Sequence, residues 1–329
     1  DLFKQRMEVS KEVAAYKQAN GLPTLDAGRE RALLGKVGEQ AGEELADYTQ
    51  SVYRTILAAG RSYQNACSGV TSKVYETIRK ALDTTPDLFP QRATVACQGV
   101  EGAYSQIACD SIFKAPTVLY FNTFEHVFKA VESGMCQYGV LPIENSTAGS
   151  VNAIYDLMTK HNFSIVRSAR LKVSHNLLCK HGVKKEDIKE IFSHQQAISQ
   201  CAGYLSTLKG VKVTVVENTA LAAQMVAQSE RRDVAALSSR FCGELYGLNL
   251  LEQNVQDQDN NYTRFICISK NPEIYPGADR TSLMMTLPHK PGALYNVLSK
   301  FYALGINLRK LESRPLPDRE FEFMFYFDL

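Results

Sequence analysis

YGVLPIENSTAGSV, residues 138–151, decides how the middle of this chain is read. An apolar run closes on a polar turn, Glu144-Asn145-Ser146-Thr147, and a helical pattern follows. The same order recurs where ATVAC meets Gln98-Gly99-Val100-Glu101-Gly102, and where EIF meets Ser193-His194-Gln195-Gln196. It returns at VTVV with Glu217-Asn218-Thr219, and at VAAL with Ser238-Ser239-Arg240. Four of the five turns place Ser, Thr or Asn at the N-cap, so each helix opens with backbone N–H groups beside a hydroxyl or amide. Short β-branched runs alternating with helices predict parallel α/β sheets, whose ligand sites gather at the C-terminal strand edges. Helix starts collected there attract anions without formal positive charge, although ordinary structural loops are capped in the same way. The turn GVEG lacks both GxxxxGK[ST] and a full GxGxxG, which disfavours a nucleotide site.

Two further features flank these turns. Asn260-Asn261-Tyr262-Thr263-Arg264-Phe265 crowds polar and aromatic groups ahead of the apolar strand FICIS, putting a hydroxyl and a guanidinium at a strand entrance. His194 reads either as a general base or as a side chain orienting a helix start.

The whole chain has 329 residues, 45% hydrophobic and 22% charged, an ordinary globular balance of two or three domains. Lys+Arg number 37 against 35 Asp+Glu, and a net charge of +2 argues against a nucleic-acid scaffold. No apolar run reaches membrane-spanning length, the N-terminus lacks a signal-peptide core, and eight scattered Cys show no CxxC spacing. The expectation is a soluble, cytoplasmic, multidomain protein without metal or organic cofactor.

Composition divides the chain into a helical segment 1–67, a tether 68–92 with Pro86 and Pro90, an α/β region 93–270, a linker 271–280 and a strand–helix–strand–strand segment 281–329. In the last segment Ala293, Leu294, Val297, Leu298 and Phe301 keep helical spacing, and Phe321, Phe323, Phe325 and Phe327 alternate on one strand face. In the first helix Arg6, Val9, Val13 and Lys17 share one face, so two cations bracket an apolar stripe. Asp26 to Arg31 opens a second helix, and a third, from about Glu43 to Ala66, lines up Tyr53, Leu57, Gly60 and Gln64. The cations either snorkel from a partly buried face, or pair with Glu12 and Glu30, or build a pocket for a small dianion. So thin a bundle would dimerise to bury its faces.

The R…K…D..RE…Q pattern of Arg6, Lys17, Asp26, Arg29, Glu30 and Gln64 resembles the all-helical class of chorismate mutase. Resemblance implies that Arg6 binds a substrate carboxylate and that Lys17 and Gln64 hydrogen-bond the ether oxygen of the breaking bond. Asp26, Arg29 and Glu30 would shape the pocket. GVEGAYSQIA, GVLPIENSTAGSV, SHQQA and NYTRF resemble prephenate dehydratase, in that family's order and spacing across 93–270. The family fold implied is two α/β lobes like a periplasmic binding protein, crossing near Arg170-Leu171-Lys172-Val173 and returning near Leu250. Thr263 would assist departure of the ring hydroxyl, and Asn145, Ser146, Ser193 and Gln195 would bind the substrate, with His194 beside them. Glu144 is a candidate acid if its pKa is raised. Gly292-Ala293-Leu294 and Glu312-Ser313-Arg314-Pro315 resemble the two phenylalanine-site motifs of an ACT domain, here without its second helix and fourth strand. The expectation is therefore a bifunctional chorismate mutase/prephenate dehydratase with phenylalanine as effector, as a homodimer or dimer of dimers. A dehydratase-only chain acting on prephenate or arogenate and a non-catalytic small-molecule sensor remain open beside it.

Overall fold

The computed structural model describes residues 1–69, 72–316 and 322–329, and divides into two units, Asp1–Arg79 and Lys80–Leu329. In the first unit α1 (Leu2–Ala19), α2 (Ala27–Ala41) and α3 (Ala46–Cys67) form a bundle. Asp26 starts α2 by accepting the Arg29 N–H at 3.0 Å. Small residues set the packing distances: a Cβ on buried Gly60 would meet Ser10 Oγ of α1 at 3.5 Å, and one on Gly38 would collide with Gln50. Phe3, Val9, Tyr16, Tyr48 and Val52 stay exposed, because so short a bundle cannot cover all its apolar faces. Helix α4 (Lys73–Thr84) spans the boundary between the two units.

The second unit begins with β1 (Thr94–Gln98), α5 (Tyr104–Ile112), β2 (Thr117–Phe121), α6 (Phe124–Glu132), β3 (Tyr138–Asn145), β4 (Gly149–Ser150), α7 (Asn152–Met158) and β5 (Ser164–Lys172). The chain then enters a second lobe of β6 (Asn176–Cys179), β7 (Glu190–Ser193), α8 (Gln195–Gln200), α9 (Ala202–Ser206), β8 (Lys212–Val215), α10 (Thr219–Gln228), β9 (Val234–Ser238), α11 (Arg240–Leu245) and β10 (Asn249–Glu252). It returns as β11 (Tyr262–Ser269), which lies between β3 and β5. The sheet orders are β2-β1-β3-β11-β5, with β4 beside β3, and β10-β6-β9-β7-β8.

Neither sheet is wholly parallel. β1, β2 and β3 run together, as do β7, β8 and β9, but β11 is antiparallel to both β3 and β5, and β6 to both β9 and β10. The return also comes after Leu250, which still belongs to β10 in the second lobe. β6 and β11, each reached from the other lobe and not through a helical crossover within its own sheet, run against their neighbours, while β5 and β10 keep the direction of β3 and β9.

Two turns differ from the expected caps. His194, not Ser193, caps α8, its Nδ1 accepting the Gln196 N–H, because Ser193 is still paired as the last residue of β7. The Glu144–Thr147 turn leads into β4 before α7 begins. Gly102 of GVEG has φ +91, and a Cβ there would lie 2.9 Å from Cys242 Sγ, so this turn is shaped by close approach of α11.

A third sheet follows, from β12 (Ser282–Thr286), α12 (Ala293–Ala303), β13 (Lys310–Pro315) and β14 (Phe323–Asp328), in order β12-β14-β13 and antiparallel throughout. Phe321 lies outside the described residues. Of the aromatic face, Phe327 packs against Phe301 of α12 with ring centroids 5.4 Å apart, while Phe323 stays 37% exposed. The alternation did not reveal that the opposite face is buried as well. Met324 and Tyr326 are 4% and 1% exposed, and Tyr326 joins the first lobe's core, its ring 5.3 Å from Tyr155.

At the start of β7, Glu190 receives Arg231, Thr214 and Lys212 at 2.6, 2.7 and 3.0 Å, and these bonds, led by Arg231, hold its carboxyl down at about 2. A depressed carboxyl stabilises the fold above its unfolded value of 4.5, and that contribution is lost as pH falls through about 2. Glu190→Gln is expected to cost about 1 kcal/mol at neutral pH, after allowance for solvent screening. Denaturant melts should show the gap to the parent closing towards pH 2; an unchanging gap would refute the linkage.

Candidate functional site

β3 and β11 carry the centre of the site. Their register pairs Asn145 with Thr263 and Glu144 with Arg264, and then slips at a bulge, so Phe265 faces Pro142. Consecutive strand residues point to opposite faces, so the Asn145/Thr263 pair and the Glu144/Arg264 pair look in different directions.

On one face, Asn145 is 8% exposed and fully bonded. Its Oδ1 accepts from the Thr147 N–H at 3.0 Å, the Thr147 hydroxyl at 2.7 Å and the Ala148 N–H at 2.9 Å. Two backbone donors on one side fix which way the amide points. Nδ2 therefore faces Asn261 Oδ1 at 2.8 Å and Thr263 Oγ1 at 2.9 Å. Accepting that bond leaves the Thr263 hydroxyl its own proton to donate. Ser146 stitches the turn to the strand entrance: its Oγ donates to Asn260 O at 2.6 Å and accepts the Tyr262 N–H at 2.9 Å.

The network continues into the second lobe through Gln200 and His175, which the sequence did not single out. Gln200, at the end of α8, accepts from Asn261 Nδ2 at 3.0 Å and donates to Thr147 Oγ1 at 2.8 Å. Its Oε1 also lies 2.9 Å from His175 Nε2, so that ring nitrogen carries the proton. Burial pushes the His175 pKa down and keeps the ring neutral, and its Nδ1 has no partner among the described residues. Asn261, Gln200 and His175 are 116, 55 and 30 residues from Asn145 along the chain; the pairing of β11 with β3 brings up Asn261, and the second lobe brings Gln200 and His175.

Other expected site residues have different surroundings. Ser193 is fully buried and donates to Leu237 O at 2.8 Å, within the second sheet. Gln195 is exposed at the start of α8, and burial lowers the pKa of half-buried His194. Glu144 turns to the opposite face, its two oxygens 3.4 Å from Arg264 Nη1 and 2.8 Å from Lys310 Nζ. Glu312 accepts the Ser150 hydroxyl at 2.7 Å and Arg314 pairs with Asp156 at 2.7 Å, while Ser313 between them points to the other side of β13. Gly292, at φ +80, precedes Ala293 and Leu294 at the start of α12.

In the helical unit, half-buried Lys17 donates to Thr24 O at 2.6 Å and Arg6 is exposed. Glu30 pairs with Arg61 of α3, not with either cation of α1. Arg29 is exposed, and the buried Oε1 of Gln64 has no hydrogen-bond partner among the described residues.

Two α/β lobes joined by a double crossover, with amides and a hydroxyl meeting where they join, define a two-lobed binding fold of the periplasmic-binding-protein kind. Residues 95–273 match the family model for prephenate dehydratase and residues 1–65 that for chorismate mutase type II, and the chain belongs to the chorismate mutase/prephenate dehydratase family. It is 31% identical to a bifunctional chorismate mutase/prephenate dehydratase of Enterobacter agglomerans over 100% of this chain and 84% of that protein. It is 39% identical to arogenate dehydratase/prephenate dehydratase 2 of Arabidopsis thaliana, over 72% of this chain. The chain spans between 57% and 65% of the length of three such plant relatives. Among solved structures, prephenate dehydratase of Arthrobacter aurescens in complex with L-Phe matches with TM-score 0.65 and 28% identity, over 71% of this chain and 79% of that one. GqqA, described as a novel type of quorum quenching acylase, matches with TM-score 0.65 and 34% identity, over 71% and 86%.

Proposed function

We propose that the chain rearranges chorismate to prephenate in its helical unit and converts prephenate to phenylpyruvate, carbon dioxide and water between the two lobes. The observation that carries the second step is the Thr263 hydroxyl, bonded at its oxygen by Asn145 and left with its proton to give. In that step the bond from the ring to its carboxylate breaks, and its electrons enter the ring. The ring hydroxyl departs from the opposite carbon and takes up a proton, so aromatisation drives the loss of water. A threonine is a weak acid, and its role is to hydrogen-bond and relay to the leaving oxygen. Gln195 and the helix start at His194 would bind carboxylates, Asn145 and Ser146 would hold Thr263 and the turn in place, and neutral His175 would hold Gln200. The crevice histidines His175 and His194 reach an amide and a backbone N–H, not a hydroxyl or thiol nucleophile, which argues against acylase chemistry.

In the helical unit a pericyclic rearrangement needs no nucleophile. Lys17 and Gln64 would stabilise charge on the ether oxygen while Arg6 holds a carboxylate. Residues 281–329 would belong to an ACT module taking phenylalanine through Gly292, Ala293, Leu294, Glu312, Ser313 and Arg314, in a cytoplasmic homodimer or dimer of dimers.

Arogenate is the second substrate reading, because plant relatives 38–41% identical to this chain bear the name arogenate dehydratase. Feeding chorismate, prephenate and arogenate separately, with and without phenylalanine, and separating products by chromatography tests all of this. Phenylpyruvate is expected from the first two, and no keto acid from prephenate would sink the reading.

A further inference from the structure

The face of β3 and β11 turned away from the Asn145/Thr263 pair is closed by the C-terminal sheet. Arg264 Nη1 lies 2.5 Å from Asp328 Oδ2 at the end of β14, and Asp328 is 1% exposed. A second bond from Ser282 at 3.1 Å fixes the other Asp328 oxygen. Lys310 of β13 reaches Glu144 at 2.8 Å and Ser150 at 2.9 Å, so the C-terminal sheet grips both strands at the residues adjoining Asn145 and Thr263. A buried carboxylate and guanidinium in direct contact are strongly coupled, and removing one leaves the other uncompensated. The β3–β11 register breaks at a bulge between Arg264 and Phe265, directly beside residues 144, 145, 263 and 264.

We propose that Asp328 is a positioning residue for the dehydratase step: through Arg264 it sets the distance and angle between the Thr263 hydroxyl and the Asn145 amide. The C-terminal sheet is then part of the catalytic apparatus even with no effector bound. This rests on the dehydratase reading of the site given above.

The test uses the full chain, after the parent has been checked for phenylpyruvate formation from prephenate; a parent that forms none overturns the dehydratase reading and this inference with it. Asp328→Asn is expected to lower kcat roughly 10- to 100-fold with KM changed by less than about twofold, because misplacement affects the transition state more than binding. Asp328→Glu should recover much of the loss, and Arg264→Met combined with Asp328→Asn should be no worse than the worse single variant. Asp156→Asn, which removes the ion pair at the far end of the same sheet, controls for simple loosening and should keep parental kcat. Hydrogen exchange gives a readout apart from turnover: in Asp328→Asn, peptides covering 139–151 and 260–266 should exchange faster than in the parent. Parental kcat in Asp328→Asn, or an equal loss in Asp156→Asn, overturns the proposal. If Asp328→Asn fails to fold, Arg264→Lys takes its place, and undiminished kcat there has the same force.

Discussion

Thr263→Val is expected to reduce kcat for prephenate by about 10²–10⁴-fold while leaving KM within a few-fold. Valine keeps the shape and loses the hydroxyl. Asn145 Nδ2 retains its bond to Asn261 at 2.8 Å and forfeits the one to Thr263 at 2.9 Å. One lost hydrogen bond at a part-buried position costs about 1 kcal/mol of stability, too little to unfold the chain. The rate effect comes from the proton: with no donor at the leaving oxygen, hydroxide has to depart unassisted. Steady-state kinetics on prephenate decide the matter, and a valine variant running at parental speed would remove Thr263 from the chemistry.

Lys17→Ala should divide the two activities. Chorismate turnover is expected to fall by about 10²–10³-fold, the usual loss when one preorganised donor to a developing negative charge is removed. Prephenate turnover should stay at the parental value, since Lys17 and Thr263 belong to separate compact units. Lys17 Nζ is held by Thr24 O, so it is already ordered without ligand and its loss removes a prepared donor. Parental chorismate turnover would mean that the helical site has been misplaced, and a parallel fall in both activities would mean that the units are not independent.

Local pattern and long-range register were not equally legible. The runs at 138–143 and 265–269 read as strands because apolar residues there follow or precede polar turns, and Asp26 announced a helix start by residue type alone. The Asn145–Thr263 contact could be suspected only from motifs, because it depends on β11 inserting between β3 and β5. Ser193 shows the limit most clearly. Its place after EIF suggested a cap, but which group its hydroxyl meets was decided by β9 lying alongside, where Leu237 O takes the bond. Gln200 and His175 carry no local signature at all; a glutamine closing a short helix and a histidine just ahead of a strand become partners only when the second lobe folds. Glu144 and Arg264 were legible as charges near a site, but the bulge and the strand alternation that send them to the far face were not.

Tyr326 has a consequence for how such chains can be taken apart. Its ring sits among the first lobe's core side chains beside Tyr155, although it belongs to the third sheet. The C-terminal segment is therefore not a cassette that grafts freely between homologues: an exchanged segment has to bring a side chain of matching volume and angle, or leave a void in the neighbouring lobe. Lobe and appendage should melt as one event.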